Sequence, residues 1–149
     1  MRTIVAAVDG TEHAPVVASA AAELASQNGA TLVLLRVVAP QLGLPSHVLT
    51  AGSVEPTVSV AIDEARRALA RLQRELPPSV RVVLEVGVGT PWREICRVAN
   101  LLGAELLVLG AHGYSPLERM LGTTAASVVN HAPCSVLLAR TRSIFESSN

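Results

Sequence analysis

The chain has 149 residues, half of them hydrophobic, with twelve basic and twelve acidic side chains and a formal net charge of zero. That balance, with no basic run or tail, weighs against nucleic acid and anionic membrane as main partners, and no apolar stretch approaches the ~18 residues of a membrane span. All twelve basic residues are Arg; without a Lys, a Walker A phosphate loop, Schiff-base chemistry and a receiver-type phosphorelay site are excluded.

The N-terminus, Met1-Arg2-Thr3-Ile4-Val5, runs straight into a strand pattern, so a cytoplasmic protein without a leader is expected. Only Trp92, Tyr114 and Phe145 are aromatic, so the core must be built from Val, Leu, Ile and Ala, as in parallel strands between Ala-rich helices. One domain over 1–149 is expected at this length.

Thr3 to Val8 is β-branched and apolar and reads as a first buried strand, ending at Asp9-Gly10-Thr11. Val17, Ala20, Ala21, Leu24 and Ala25 form one helical stripe, stopped by Gly29. With Thr11 as N-cap, Pro15 would fall at N4 and cost a hydrogen bond, so a later helix start is expected. Thr31 to Val38 is a second strand, broken in its apolar run by Arg36. Residues 39–56 carry Pro40, Gly43, Pro45, Gly52 and Pro56 and no period: a mobile lid or an insertion without a role.

Val58, Ile62, Ala65, Leu69, Leu72 and Leu76 step by three and four, an amphipathic helix whose other face carries Asp63, Arg66, Arg67, Arg71 and Arg74; Pro77-Pro78 ends it. Val80 to Val88, with Arg81 and Glu85, predicts a more exposed third strand. Thr90 then caps a helix with Pro91 at N1, Glu94 in the first turn, and Ile95, Val98, Ala99 and Leu102 facing inward; Gly103 closes it. Leu106 to Leu109 is a fourth strand. Ala125, Val128, Val129 and Ala132 mark the last helix, Pro133 breaks it, and Ser135 to Ala139 is a fifth strand before a polar tail, 141–149. Cys96 and Cys134 form no CxxC motif and are expected to be small core residues.

This alternation predicts a parallel sheet with helices on both faces and a ligand past the strand C-termini, where the strand order reverses. The strand Leu106 to Leu109 is followed by Gly110 and Gly113, and Gly122 stands before Thr123-Thr124, where helical spacing resumes. Strand, glycine-bearing loop and helix start make a phosphate cradle or an ordinary connection; those residues alone leave both open. If the first and fourth strands are neighbours, Asp9 and the Gly110 loop meet at one crevice.

Nearly the whole chain, 3–140, resembles the universal stress protein family. The carriers are Val5-Ala6-Ala7-Val8-Asp9-Gly10-Thr11, Gly87-Val88-Gly89-Thr90-Pro91, Gly110-Ala111-His112-Gly113 through Gly122-Thr123, and His131-Ala132-Pro133-Cys134-Ser135-Val136-Leu137-Leu138. The resemblance implies an open, Rossmann-like sheet in the order 3-2-1-4-5, akin to the adenine nucleotide alpha hydrolase fold. It also implies a stress-response regulator that is a homodimer through the edge strand Ser135-Ala139, with an unknown protein partner and at most weak ATP hydrolysis. ATP-binding members show G-x2-G-x9-G-[S/T]; here Tyr114 to Leu121 supplies eight residues where the motif has nine. Carried over, Ala7, Val8 and Asp9 would line the adenine and ribose end and Val37 would pack on adenine. Gly110, Ala111, His112 and Gly113 would follow the ribose and phosphates, and Gly122, Thr123 and Thr124 would donate to the phosphates of ATP, with or without Mg2+. Arg119 is a further phosphate contact in this reading. An enzyme with the Ser-Gly-Gly-x-Asp-Ser loop of ATP pyrophosphatases is not matched by Val8-Asp9-Gly10-Thr11.

Overall fold

The computed structural model describes residues 2–40, 54–111 and 121–140; His112, Gly113, Arg119, the polar tail and most of the expected irregular connection lie outside the described residues. Among the described residues strands and helices alternate: β1 (Thr3–Ala7), α1 (Ala14–Asn28), β2 (Thr31–Val38), α2 (Val54–Arg74), β3 (Val82–Val88), α3 (Pro91–Leu101), β4 (Leu106–Gly110), α4 (Thr123–His131) and β5 (Ser135–Ala139). All strand pairs are parallel and the order is β3-β2-β1-β4-β5. The chain thus winds outward from β1 in one direction, then restarts at β4 on its other side. The tip of β1 stands between the two halves, with Ala7 level with Leu35 of β2 and Leu109 of β4.

Strand alternation sends the buried side chains into two apolar layers. On one face Ile4, Ala6, Leu32, Leu34 and Val108 meet Val17, Ala18, Ala21 and Ala25 of α1 and Leu69 of α2. On the other, Val5, Leu35, Leu107 and Leu109 meet Ile95, Val98 and Ala99 of α3 and Ala125 and Val128 of α4. Each fully buried Leu or Ile contributes about 1.5–3 kcal/mol relative to exposure. No polar or charged side chain among the described residues is buried. The core therefore stabilises the fold, and any polar chemistry is confined to the strand ends.

Several element ends differ from expectation for local reasons. The first helix does start late: its N-cap is His13, which places Pro15 at N2, where no intrahelical bond is lost. Gly29 ends it in the left-handed conformation at φ 63°. Helix α2 begins at Val54, inside the span expected to be irregular; Pro56 falls in its first turn, where a missing N–H costs nothing, so a proline read as a breaker is part of the helix. Leu102, expected inside, is 39% exposed because α3 has ended at Leu101 and the chain turns at Gly103. Cys96 and Cys134 are half-buried and pack against the second of these layers, and burial pushes both thiols up from their ordinary range.

Candidate functional site

Beyond the tip of β1 lies a cavity of about 730 Å³. Its floor is Ala7, Val8 and Leu109, its β2 side is Leu35, Arg36 and Val37, and its far wall is Gly110 with Leu121, Gly122, Thr123, Thr124 and Ala125. Pro91 and Ile95 of α3 close the apolar end. The location is the point of reversal of strand order, where ligands of open α/β sheets sit. A second cavity, about 790 Å³, lies on the other side of Asp9 and Gly10, between α1, the end of β2 and α2; Glu12, Glu64, Glu75, Arg67 and Arg71 mix charges along its wall.

The polar end of the first cavity is built by α4. Gly122 is its N-cap, with extended backbone at φ −63° and ψ 155°, and no side chain caps the helix. The N–H of Ala126 donates to the Gly122 carbonyl at 2.9 Å, the first bond of the helix. The N–H groups of Thr123, Thr124 and Ala125 accordingly have no partner among the described residues. They point out of the helix N-terminus together with its partial positive charge, and its first turn contains no acidic residue.

The position of that helix start is held from behind. Ala111 is fully buried; its N–H donates to the Ala139 carbonyl at 3.1 Å and its carbonyl accepts from the Gly122 N–H at 3.3 Å. Ala111 is thus a bracket between β5 and α4 and does not line the cavity. Gly110 packs close: a Cβ there would stand 3.4 Å from Cγ2 of Val17.

At the opposite wall, Asp9 is exposed, and its Oδ1 accepts from the Thr11 N–H at 3.0 Å and from the Thr11 hydroxyl at 2.5 Å. The Thr11 hydroxyl oxygen in turn accepts from the His13 N–H at 3.3 Å. One carboxylate oxygen therefore shapes the turn into α1, and Oδ2 is left over for a ligand. Arg36 crosses from β2 onto Gly10 and has no hydrogen bond or ion pair among the described residues.

The structure brings Ala7, Val8, Asp9, Val37, Gly110, Gly122, Thr123 and Thr124 to one cavity. Gly10, His13, Arg36, Pro91, Ile95 and Ala125 line it as well, and none was singled out as a site residue. Arg36 carried the clearest signal: a charge interrupting an apolar strand at its C-terminal end. Among the described residues no three His, Cys, Asp or Glu side chains cluster to hold a metal ion, and no helix is long and apolar enough to cross a membrane. Among the described residues the site can supply main-chain donors, one free carboxylate oxygen and an apolar slot.

The model of the Universal stress protein family matches residues 1–140. The chain is 31% identical to Universal stress protein A homolog 1 of Coxiella burnetii, over 90% of this chain and 92% of that protein. It superposes on universal stress protein UspA from Lactobacillus plantarum with a TM-score of 0.73 at 25% identity, covering 93% of this chain and 97% of the other. A universal stress protein solved in complex with cAMP has the same fold, with a TM-score of 0.65 at 21% identity, covering 95% and 98%. A match over so much of the chain, carried by the sheet order and the glycine-flanked cavity, places this protein in the universal stress protein family.

Proposed function

We propose that this protein binds an adenine nucleotide, ATP with or without Mg2+, between β1 and β4, and that the bound nucleotide sets the behaviour of a cytoplasmic stress-response homodimer. The observation that carries this reading is the set of three open N–H groups on α4, facing a cavity of about 730 Å³ whose other end is apolar. That volume is ordinary for a small-molecule or cofactor site. Val37, Leu35 and Ile95 suit a purine face, Oδ2 of Asp9 suits a ribose hydroxyl, and the α4 donors suit phosphate oxygens. Mg2+ would be held mainly by the phosphates and water, with Asp9 as the carboxylate that the described residues bring to the cavity wall. A relative in complex with cAMP supports the class of ligand.

Hydrolysis would be slow at most in this reading, with the nucleotide acting as a bound regulator. Dimerisation through β5 is supported by its place at the sheet edge, where its outer backbone groups are open to a second strand.

Equilibrium dialysis of the purified protein with ATP, with and without Mg2+, tests this reading, alongside mass spectrometry of protein purified without added nucleotide. Retained adenine nucleotide or saturable binding is expected; no binding at millimolar ATP with Mg2+ overturns it. The eight residues between Gly113 and Gly122 favour a second reading, a dimeric interaction module with an empty crevice. Size-exclusion chromatography giving a dimer together with a negative dialysis result would decide for it.

A further inference from the structure

Arg36 is a cation of the crevice wall that has no hydrogen bond or ion pair among the described residues. By alternation it belongs to the face covered by α1 and α2, with Leu34, whereas Leu35 and Val37 belong to the other. Its guanidinium nevertheless lies across Gly10: a Cβ on that glycine would stand 2.9 Å from Nη2, 3.2 Å from Nη1 and 3.3 Å from Cζ. The missing side chain is what lets the charged group rest on the backbone and reach the crevice wall. Arg36 is half-buried, and no carboxylate lies within ion-pair distance of it among the described residues, although Asp9 is in the same wall. Arg36 lines both cavities, and its guanidinium, held over Gly10 with no hydrogen bond or ion pair among the described residues, has donors to offer an anion.

The 5′-phosphates of a nucleotide do not answer that need in the proposed mode. They are served by Thr123, Thr124 and Ala125, on the β4 side of the crevice. Arg36 is rooted in β2, two strand spacings, about 10 Å, from β4, and its guanidinium reaches back over Gly10 at the end of β1. What lies beside Arg36 is Asp9, the group suited to a ribose hydroxyl. Dinucleotide folds meet a plain ribose with an acid on its hydroxyl, or a phosphorylated one with an Arg nearby, and this crevice wall has one group of each kind.

Resting on the nucleotide reading above, we infer that Arg36 makes the crevice selective for purine nucleotides with a second phosphate on the ribose 2′- or 3′-hydroxyl. Oδ2 of Asp9 takes the remaining hydroxyl, the α4 amides take the 5′-phosphate, and Arg36 takes the second phosphate over Gly10.

Calorimetric titration of the full chain with AMP, adenosine 3′,5′-bisphosphate and adenosine 2′,5′-bisphosphate at matched ionic strength tests this. One bisphosphate is expected to bind roughly tenfold tighter than AMP, the size of a charge-assisted hydrogen-bond pair, and the titration names which position is read. Arg36→Gln should bring the bisphosphate-to-AMP ratio close to one, and Arg36→Lys, which keeps the charge without the fork, should restore part of it. Gly10→Ala, which crowds the guanidinium, should lower the ratio with Arg36 still present. Bisphosphates no tighter than AMP, or an advantage that survives Arg36→Gln, overturn the inference while leaving nucleotide binding in place. Failure of AMP and ATP alike to bind overturns the nucleotide reading and this inference with it.

Discussion

Helices α3 and α4 each connect one parallel strand to the next, both start close behind a glycine, and both lie on the same face of the sheet. Their N-termini are treated in opposite ways. In α3 the first residue is Pro91, which has no N–H to leave open, and the first turn contains Glu94. The Glu94 side chain lies over Gly87 and Gly89, and its Oε2 is 2.9 Å from Nη2 of Arg97. The positive end of α3 is thus neutralised by its own chain. Neither helix has a side-chain cap, but α4 has no acid and no proline, and leaves three donors without a partner among the described residues. Sheet position sorts the two: β3 is at the edge, whereas β4 is beside β1 at the reversal of strand order, where a cavity exists for those donors to face. A helix start serves an anion only where both conditions hold.

The contrast can be broken by giving α4 the proline of α3. Thr123→Pro places proline at N1, a position it favours, after Gly122, whose extended backbone suits a pre-proline residue. One donor is lost without loss of a helical bond. ATP binding is expected to weaken ten- to a hundredfold, about 1.5–3 kcal/mol for a hydrogen bond to a charged group, with little change in melting temperature. Dialysis and a thermal melt on the same sample check both halves; unchanged affinity would mean that the α4 amides do not hold the ligand.

A smaller effect is expected from disturbing the α3 side. Gly89 has φ 147°, and a Cβ there would lie 3.0 Å from Cγ of Glu94. Gly89→Ala should therefore destabilise the fold by about 1–3 kcal/mol in chemical denaturation, while Thr123→Pro should not. Smallest is Glu94→Gln, which removes the charge from the α3 start and its partly exposed pair with Arg97; about 0.3–1 kcal/mol of stability should go, and more of it at low salt than at high. Loss of ATP affinity in Glu94→Gln comparable to that in Thr123→Pro would blur the distinction between the two helix starts.

Much of this arrangement was legible in the residues themselves. The step pattern from Val58 to Leu76 marks α2, the awkward fit of Pro15 to a Thr11 cap marks the late start of α1, and Arg81 with Glu85 marks β3 as the exposed strand. Those signals are local, and local chemistry decided them. The strand order was not readable from periodicity, because any parallel order buries the same apolar runs; it followed from the family resemblance. Nor could spacing show that Ala111 turns inward as a bracket, or that Arg36 folds across Gly10. Both depend on contacts between segments far apart in the chain, Ala111 with Ala139 and Arg36 with the turn after β1.

The hydrogen bond from Gly122 to Ala111 has a consequence for the length of the span between the glycines. It ties the last glycine of the motif to its second residue, and the bond from Ala111 to Ala139 fastens that knot to the sheet. By loop-closure entropy alone, one residue more or less between two ends anchored in this way costs only about a tenth of a kcal/mol, so the eight residues between Gly113 and Gly122 carry little penalty on that account.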